Sequence, residues 1–249
     1  MGAWIITIGD ELLSGKVINW NAYWFAKRLS SIGLQVKRII CVPDEVEVIS
    51  KAIMDAINDG AEFIFTTGGL GPTPGDVTVE AICKATGKRV VLDPKALEFV
   101  RRRYEELYNL GLVESPELND ARKKMAMIPE GADVVYNDVG VAPAIILSLE
   151  SATIIALPGV PSEAMYLFEK VVPRIRTKGE LAVIETYVDI TDESFIAKHL
   201  SEVRERYPSV NIKTYPIGYG QKTMRVVVIA KNRKHAEEAL NMFLKKIRS

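Results

Sequence analysis

Apolar and polar positions along the 249-residue chain follow two alternating rhythms. Short apolar runs bounded by glycine, proline or acidic residues predict buried strands, and stretches with apolar residues three and four apart predict amphipathic helices. Trp4 to Ile8 is the first such run; a helix follows from Asn19 to Ser31, with Trp20, Trp24 and Leu29 among its apolar positions, and Gly33 stops it. Val36 to Val42 is a second strand ending at Pro43-Asp44, and Val46 to Ile57 a second helix, with Val46, Ile49, Ile53 and Ile57 at helical spacing. A third strand, Ala61 to Phe65, runs into the stretch TTGGLGPTPGDVT from Thr66 to Thr78, and a helix from Val77 to Ala85 follows, closed by Gly87. Alternation of this kind predicts βαβ units, hence an α/β fold: a three-layer, mainly parallel sheet with helices on both faces.

Beyond this region a helical, charge-rich section is expected from Pro94 to Met127, with a turn near Gly111 to Pro116. Strand-like runs return at Val134 to Tyr136, Ile145 to Leu149 and Thr153 to Leu157, and Ser162 begins a helix that Pro173 limits. From about Arg176 the order changes to strand (Ala182 to Ile190), helix (Asp192 to Arg206), strand (Val210 to Tyr215), strand (Met224 to Ala230) and helix (His235 to Ile247). Two domains are therefore expected, residues 1–175 and a smaller C-terminal α+β unit of residues 176–249.

Composition narrows the function. Lys+Arg and Asp+Glu are both 32, so no global charge draws the chain to nucleic acid or to an anionic membrane, and neither is expected as a partner. Any anion has to be met locally. The N-terminal MGAWIITIGDELL has no basic segment before its apolar run, and no uninterrupted apolar stretch approaches the ~18 residues of a membrane span, so a cytoplasmic protein is expected. Cys41 and Cys83 are too few for a disulfide framework and read as buried thiols. The only histidines, His199 and His235, lie on expected helices of the small domain, which argues against Ser-His-Asp catalysis and a histidine zinc site.

Candidate chemistry sits after the strands, where parallel sheets hold their ligands. Four such segments are polar or glycine-rich: Gly9-Asp10-Glu11, Asp44-Glu45, Thr66 to Thr78, and Leu157 to Glu163. The third lacks the Gly-Lys-Ser/Thr of a P-loop, and Pro74 stands where a dinucleotide fingerprint has glycine or alanine. Gly68, Gly69 and Gly71 can serve a sharp turn, or turn their amides toward an oxyanion beside a helix start; three glycines in four positions favour the anion. Asp76 fits an N-cap for the helix beginning at Val77, and fits equally a carboxylate that brings a divalent cation to a phosphate. Asp10, Glu11 and Asp44 can complete an all-oxygen metal site or supply a base, although acidic residues also serve strand ends as turns and caps.

Taken together, these motifs resemble a known family. Gly9-Asp10-Glu11-Leu12-Leu13-Ser14-Gly15, Asn21, Val42-Pro43-Asp44, Thr67-Gly68-Gly69-Leu70-Gly71-Pro72-Thr73 with Asp76 and Thr78, Asn119, Pro129, Asn137, Gly140 with Ala142-Pro143, and Leu157-Pro158-Gly159-Val160-Pro161-Ser162-Glu163 are similar to the molybdopterin-binding-like domain of CinA proteins, relatives of MogA, MoaB and MoeA. The small domain looks like the KH-like module of those proteins, although Gly218-Tyr219-Gly220 has the wrong spacing for an RNA-binding GxxG loop. The resemblance implies a metal-dependent pyrophosphatase cleaving ADP-ribose, or a related nucleotide diphosphate, to AMP and ribose 5-phosphate. It implies catalytic roles for Asp76, Asp44 and Glu11, and a divalent metal (Mg²⁺, Mn²⁺ or Co²⁺) held by Asp76 and Asp44. Substrate contacts are implied at Gly68, Gly69, Leu70, Gly71, Thr73, Asn21, Gly159, Pro161 and Glu163. It also implies self-association into a homo-oligomer. The alternatives it leaves open are a molybdopterin-binding, adenylylating protein and a non-catalytic nucleotide sensor. Bacterial relatives continue into a nicotinamide-mononucleotide deamidase domain that this sequence is expected to lack, and its activity is not carried over. Three motifs depart from the family pattern: Gly75-Asp76 stands where the family has paired aspartates, Asn19-Trp20-Asn21 where it has Asp-Thr-Asn, and Gly140-Val141-Ala142-Pro143-Ala144 where it has Gly-Thr-Ala-Pro-Gly.

Overall fold

The computed structural model describes residues 2–175, 181–190, 192–217 and 222–247, so Gly218-Tyr219-Gly220 lies outside the described residues. It divides into two units, residues 1–29 with 34–176, and 30–33 with 177–249.

In the larger unit, β1 (Gly2–Ile8) is an interior strand of the sheet and is buried at every residue. That is why its sequence is a continuous apolar run rather than an alternating one. The one-turn helix α1 (Asp10–Leu13) leads to α2 (Trp20–Ser31), β2 (Gln35–Val42), α3 (Val46–Asn58), β3 (Phe63–Thr67) and α4 (Thr78–Thr86). Gly87 closes α4 in the left-handed conformation, at φ 67°. After β4 (Val90–Leu92) come α5 (Pro94–Asn109), α6 (Asp120–Lys124), β5 (Met127–Pro129), β6 (Asp133–Val135), β7 (Ala144–Ser148), β8 (Thr153–Leu157) and α7 (Pro161–Val171). The main sheet has the order β2-β1-β3-β8-β7-β6; pairs β2–β1, β1–β3 and β3–β8 are parallel, and β7 and β6 add an antiparallel edge.

Both faces of the sheet are covered. Trp4, Ile6, Ile8 and Ile64 pack with Ile49, Ile53 and Ile82 of α3 and α4. On the other face, Phe65 of β3 meets Phe168 of α7 at 5.4 Å between ring centroids, and Phe168 stacks on Phe25 of α2 at 4.9 Å. Aromatic burial of this kind contributes beyond its area. Cys83 is buried, and burial pushes its thiol pKa up to about 11, whereas Cys41 is only half-buried, against expectation. Cys41 lies on β2, where the pleat leaves much of one side partly exposed.

The expected helical section up to Met127 ends earlier than its pattern suggested. Val90 to Leu92 pairs antiparallel with Met127 to Pro129, a three-residue ribbon too short to carry a period.

The smaller unit contains β9 (Ala182–Val188), α8 (Glu193–Arg206), β10 (Asn211–Pro216), β11 (Met224–Ala230) and α9 (Arg233–Ile247). Its antiparallel sheet, β10-β11-β9, packs on the two helices through Ile196, Val203, Val226, Val228 and Phe243. Among the described residues, no helix is long and apolar enough to cross a membrane.

Candidate functional site

The four parallel strands end on the same side of the sheet, and the turns that follow them border one cleft of about 660 Å³. Gly9, Asp10 and Glu11 follow β1; Asp44 follows β2; Gly68 to Thr73, Gly75 and Asp76 follow β3; Pro158 to Val160 and Glu163 follow β8. Tyr104, Met125 and Gly140 to Ala142 complete the walls.

The glycine run divides its labour. Gly68 has φ 108°, and a Cβ there would stand 2.3 Å from the Ile8 carbonyl oxygen. Its N–H donates to Leu157 O at 3.1 Å, so Gly68 fastens the turn to β8 and has no donor to spare for an anion. Thr78 secures the turn from the other side: its Oγ1 donates to Gly68 O at 2.8 Å and its N–H to Gly69 O at 3.2 Å. The N–H groups of Gly69, Leu70 and Gly71 have no hydrogen-bond partner among the described residues, and all three residues line the cleft. Three adjacent amides are thus left as free donors in residues that line the cleft.

Asp76 does not cap α4. The N-cap is Val77, and Asp76 turns back to accept from Thr73 N–H at 2.8 Å and Thr73 Oγ1 at 2.6 Å. It stands two residues before the first helical residue, and its N–H closes the turn onto Thr73 O at 3.1 Å. The turn therefore uses the carboxylate that a cap would have used. A Cβ on Gly71 would stand 2.7 Å from Asp76 Oδ2, which explains a glycine there without any unusual φ.

Asp44 Oδ2 accepts from Asp10 N–H at 3.1 Å, joining the turns after β1 and β2. Burial raises the Asp44 pKa more than this hydrogen bond lowers it, and the charges of Glu11, Asp10 and Asp76 raise it further. Among the described residues, no three Asp, Glu, His or Cys side chains stand as a ready-made metal site. The donor set suits a hard cation held by one or two carboxylates and by oxygens of a phosphate ligand, as is usual for Mg²⁺.

Glu163 is held more firmly. Burial raises its pKa, while a hydrogen bond from Asn137 Nδ2 at 2.7 Å and the nearby Arg103 charge lower it. Asn137 also donates to Ala142 O at 3.0 Å, and its Oδ1 accepts from the N–H groups of Val139 and Gly140 at 3.1 and 2.8 Å. Arg103 grips the same loop, donating to Gly140 O at 2.9 Å and Val139 O at 3.1 Å. The sequence motif contains Asn137 without suggesting this role, and Arg103 carries no sequence signal beyond its place in a basic run.

Asn21 and Pro161 lie outside the cleft, lining a neighbouring cavity of about 70 Å³ that shares Ile8, Glu11 and Gly159 with it. Asn21 Nδ2 donates to Thr67 Oγ1 and to Gly159 O, both at 2.9 Å, and Thr67 Oγ1 donates to Pro158 O at 2.7 Å. Asn21 thus ties the turn after β8 to the end of β3.

Comparison with known proteins places this geometry. Residues 4–177 match a family described as a probable molybdopterin binding domain. The chain is 40% identical over 247 residues to a protein of Pyrococcus furiosus, covering 99% of this chain and 97% of that one. It is 40% identical over 237 residues to a protein of Aeropyrum pernix, covering 92% and 85% respectively. Among solved structures it is similar to the protein CinA, of unknown function, from Thermoplasma acidophilum, with 33% identity, a TM-score of 0.64, and 70% of this chain and 98% of that chain covered. The chain belongs to the probable molybdopterin binding domain family and is CinA-like within it.

Proposed function

We propose that the cleft binds a nucleotide diphosphate of the ADP-ribose type and hydrolyses it with the help of a divalent cation, giving AMP and ribose 5-phosphate. One juxtaposition carries this reading: three unpaired amides at Gly69 to Gly71 share a cleft with Asp10, Glu11, Asp44, Asp76 and Glu163. An anion cradle facing so many acids favours a phosphate ligand that arrives with a cation between them.

Asp76 and Asp44 would hold that cation, which, when bound, supplies positive charge against the phosphate oxygens. The amides of Gly69 to Gly71 bind the diphosphate and fix its orientation. Glu163, oriented by Asn137 and partly withdrawn from water, is the better placed carboxylate to accept a proton from the attacking water, and Glu11 is the second candidate. In the step itself, the water oxygen bonds to one phosphorus as the bridging P–O bond breaks. The proton leaves through the carboxylate.

The test is direct. Purified protein with Mg²⁺, Mn²⁺ or Co²⁺ is expected to release AMP from ADP-ribose or FAD, and Asp76→Ala to lose that release while its circular dichroism stays unchanged. Absence of AMP under all three metals sinks the reading. The family description favours a second one, in which the same loop serves molybdopterin adenylylation. Molybdopterin binding with ATP-dependent adenylate transfer would establish it, and calorimetric nucleotide binding without turnover would instead mark a sensor.

A further inference from the structure

The smaller unit has an unguarded sheet edge. β9, with the sequence AVIETYV, pairs with β11 along one side, and no strand among the described residues covers its other side. Edge strands are commonly kept from foreign pairing by lysine, proline or brevity. The other edges follow that rule: β10 carries Lys213 and ends at Pro216, β2 carries Lys37 and Arg38, and β4, β5 and β6 have three residues each. β9 has seven residues, rich in β-branched and aromatic side chains, and none is lysine, arginine, proline or glycine. Val183 is 40% exposed and Tyr187 60%. Beside this edge runs a groove of about 320 Å³, lined by Thr186 to Ile190 and by Leu244 and Ile247 of α9. Leu244 and Ile247 are only half-buried, so α9 presents apolar surface next to the edge that no strand covers among the described residues.

We propose that the β9 edge joins a second copy of this chain, β9 against β9 and antiparallel about a two-fold axis, which merges two three-stranded sheets into one. Charge and shape select this occupant. The one charged residue of β9, Glu185, lies 3.9 Å from Arg225 of β11, so each edge reaches its copy with that charge answered inside its own unit. Residues directly opposite in an antiparallel pair share a face, so the axis falls on a residue and not between two. An axis on Glu185 sets that carboxylate against itself, and one on Tyr187 sets it against Asp189; like charges in those positions are unfavourable. An axis on Ile184 leaves the groove empty, and one on Val188 shortens the ladder. An axis on Thr186 opposes Ile184 to Val188 of the second copy and Ala182 to Ile190. Ile184 and Val188 both face the helices, so Ile184 of each copy then lies along the other's groove, toward Leu244 and Ile247. Groove and filler come from the same surface, as contact between identical copies requires.

Sedimentation of the full chain tests this pairing, which does not depend on what the cleft binds. Thr186→Lys opposes two ammonium groups at the axis and is expected to halve the mass of the sedimenting species, with dissociation raised about tenfold or more. Thr186→Cys, made together with Cys41→Ser, is a smaller change and serves if the lysine variant unfolds. Cysteines directly opposite each other lie within disulfide reach, so copper-phenanthroline is expected to give a covalent dimer that dithiothreitol reverses. Val183→Cys in the same background, far from the axis, is expected to stay single. An unmodified chain that sediments as one copy overturns the proposal, as does an unchanged mass in a folded Thr186→Lys. A Thr186→Cys chain that links no faster than Val183→Cys overturns it as well.

Discussion

At the scale of single residues, neighbouring glycines of one loop serve different ends, and substitution separates them. Gly68 combines a positive φ with a backbone oxygen where its Cβ would be. Gly68→Ala is therefore expected to lower stability by about 1–3 kcal/mol, read as a shift in the urea midpoint. Gly71 meets only the Asp76 carboxylate, so Gly71→Ala is expected to fold normally and to displace that carboxylate, lowering AMP release by up to about a hundredfold. Asp44 shows the reverse relation between stability and activity. An acid whose folded-state pKa stands above its unfolded value loses stability as pH rises through the interval between them, and Asp44 is such an acid. Asp44→Asn is expected to raise the melting temperature at pH 7, to lose that gain as the pH falls through the carboxylate range, and to abolish metal-dependent turnover. Scanning calorimetry at pH 3 and pH 7 reads the first effect.

At the scale of elements, the long periodic segments were legible and the side-chain directions were not. β8 and β11 fall where their apolar runs place them, and α3 begins where its period begins, because burial of a whole face writes itself into spacing. The four-residue α1 and the β4–β5 ribbon, with three residues to a strand, are too short to repeat a period and left no such trace. The cleft itself was legible as a set of strand ends, since topology alone brings them together. Which way each side chain turns was not: Asp76 closes a turn instead of capping α4, and Asn21 holds a loop outside the cleft. Arg103 reaches Gly140 across 37 positions, a partnership no local pattern encodes. Asn21→Ala removes one hydrogen bond to Gly159 O after β8 and one to Thr67 Oγ1 at the end of β3, and is expected to cost about 1–3 kcal/mol in urea unfolding and to raise KM for the nucleotide.

At the scale of the whole molecule, the larger unit contains every wall of the cleft, and among its described residues a group of apolar side chains near the start of α2 is exposed. Ile18 is 83% exposed, Tyr23 56% and Trp20 49%, with the Trp20 and Tyr23 rings 5.3 Å apart. Contiguous apolar surface of this kind commonly marks an interface. The expected self-association thus has a place to be tested: Ile18→Glu is expected to sediment as a smaller species than the unmodified chain.

The contrast between the chain's two cysteines opens a practical route to the cation question. Cys83 is buried with a thiol pKa of about 11, which keeps it unreactive at neutral pH, whereas Cys41 is partly accessible and lies three positions before Asp44. A thiol reagent is expected to modify one site in the folded protein and two in denaturant, counted by mass spectrometry. The native protein thus offers a single attachment point for a fluorophore beside the acidic cluster, where quenching or recovery on adding Mn²⁺ would report occupancy without any engineered residue.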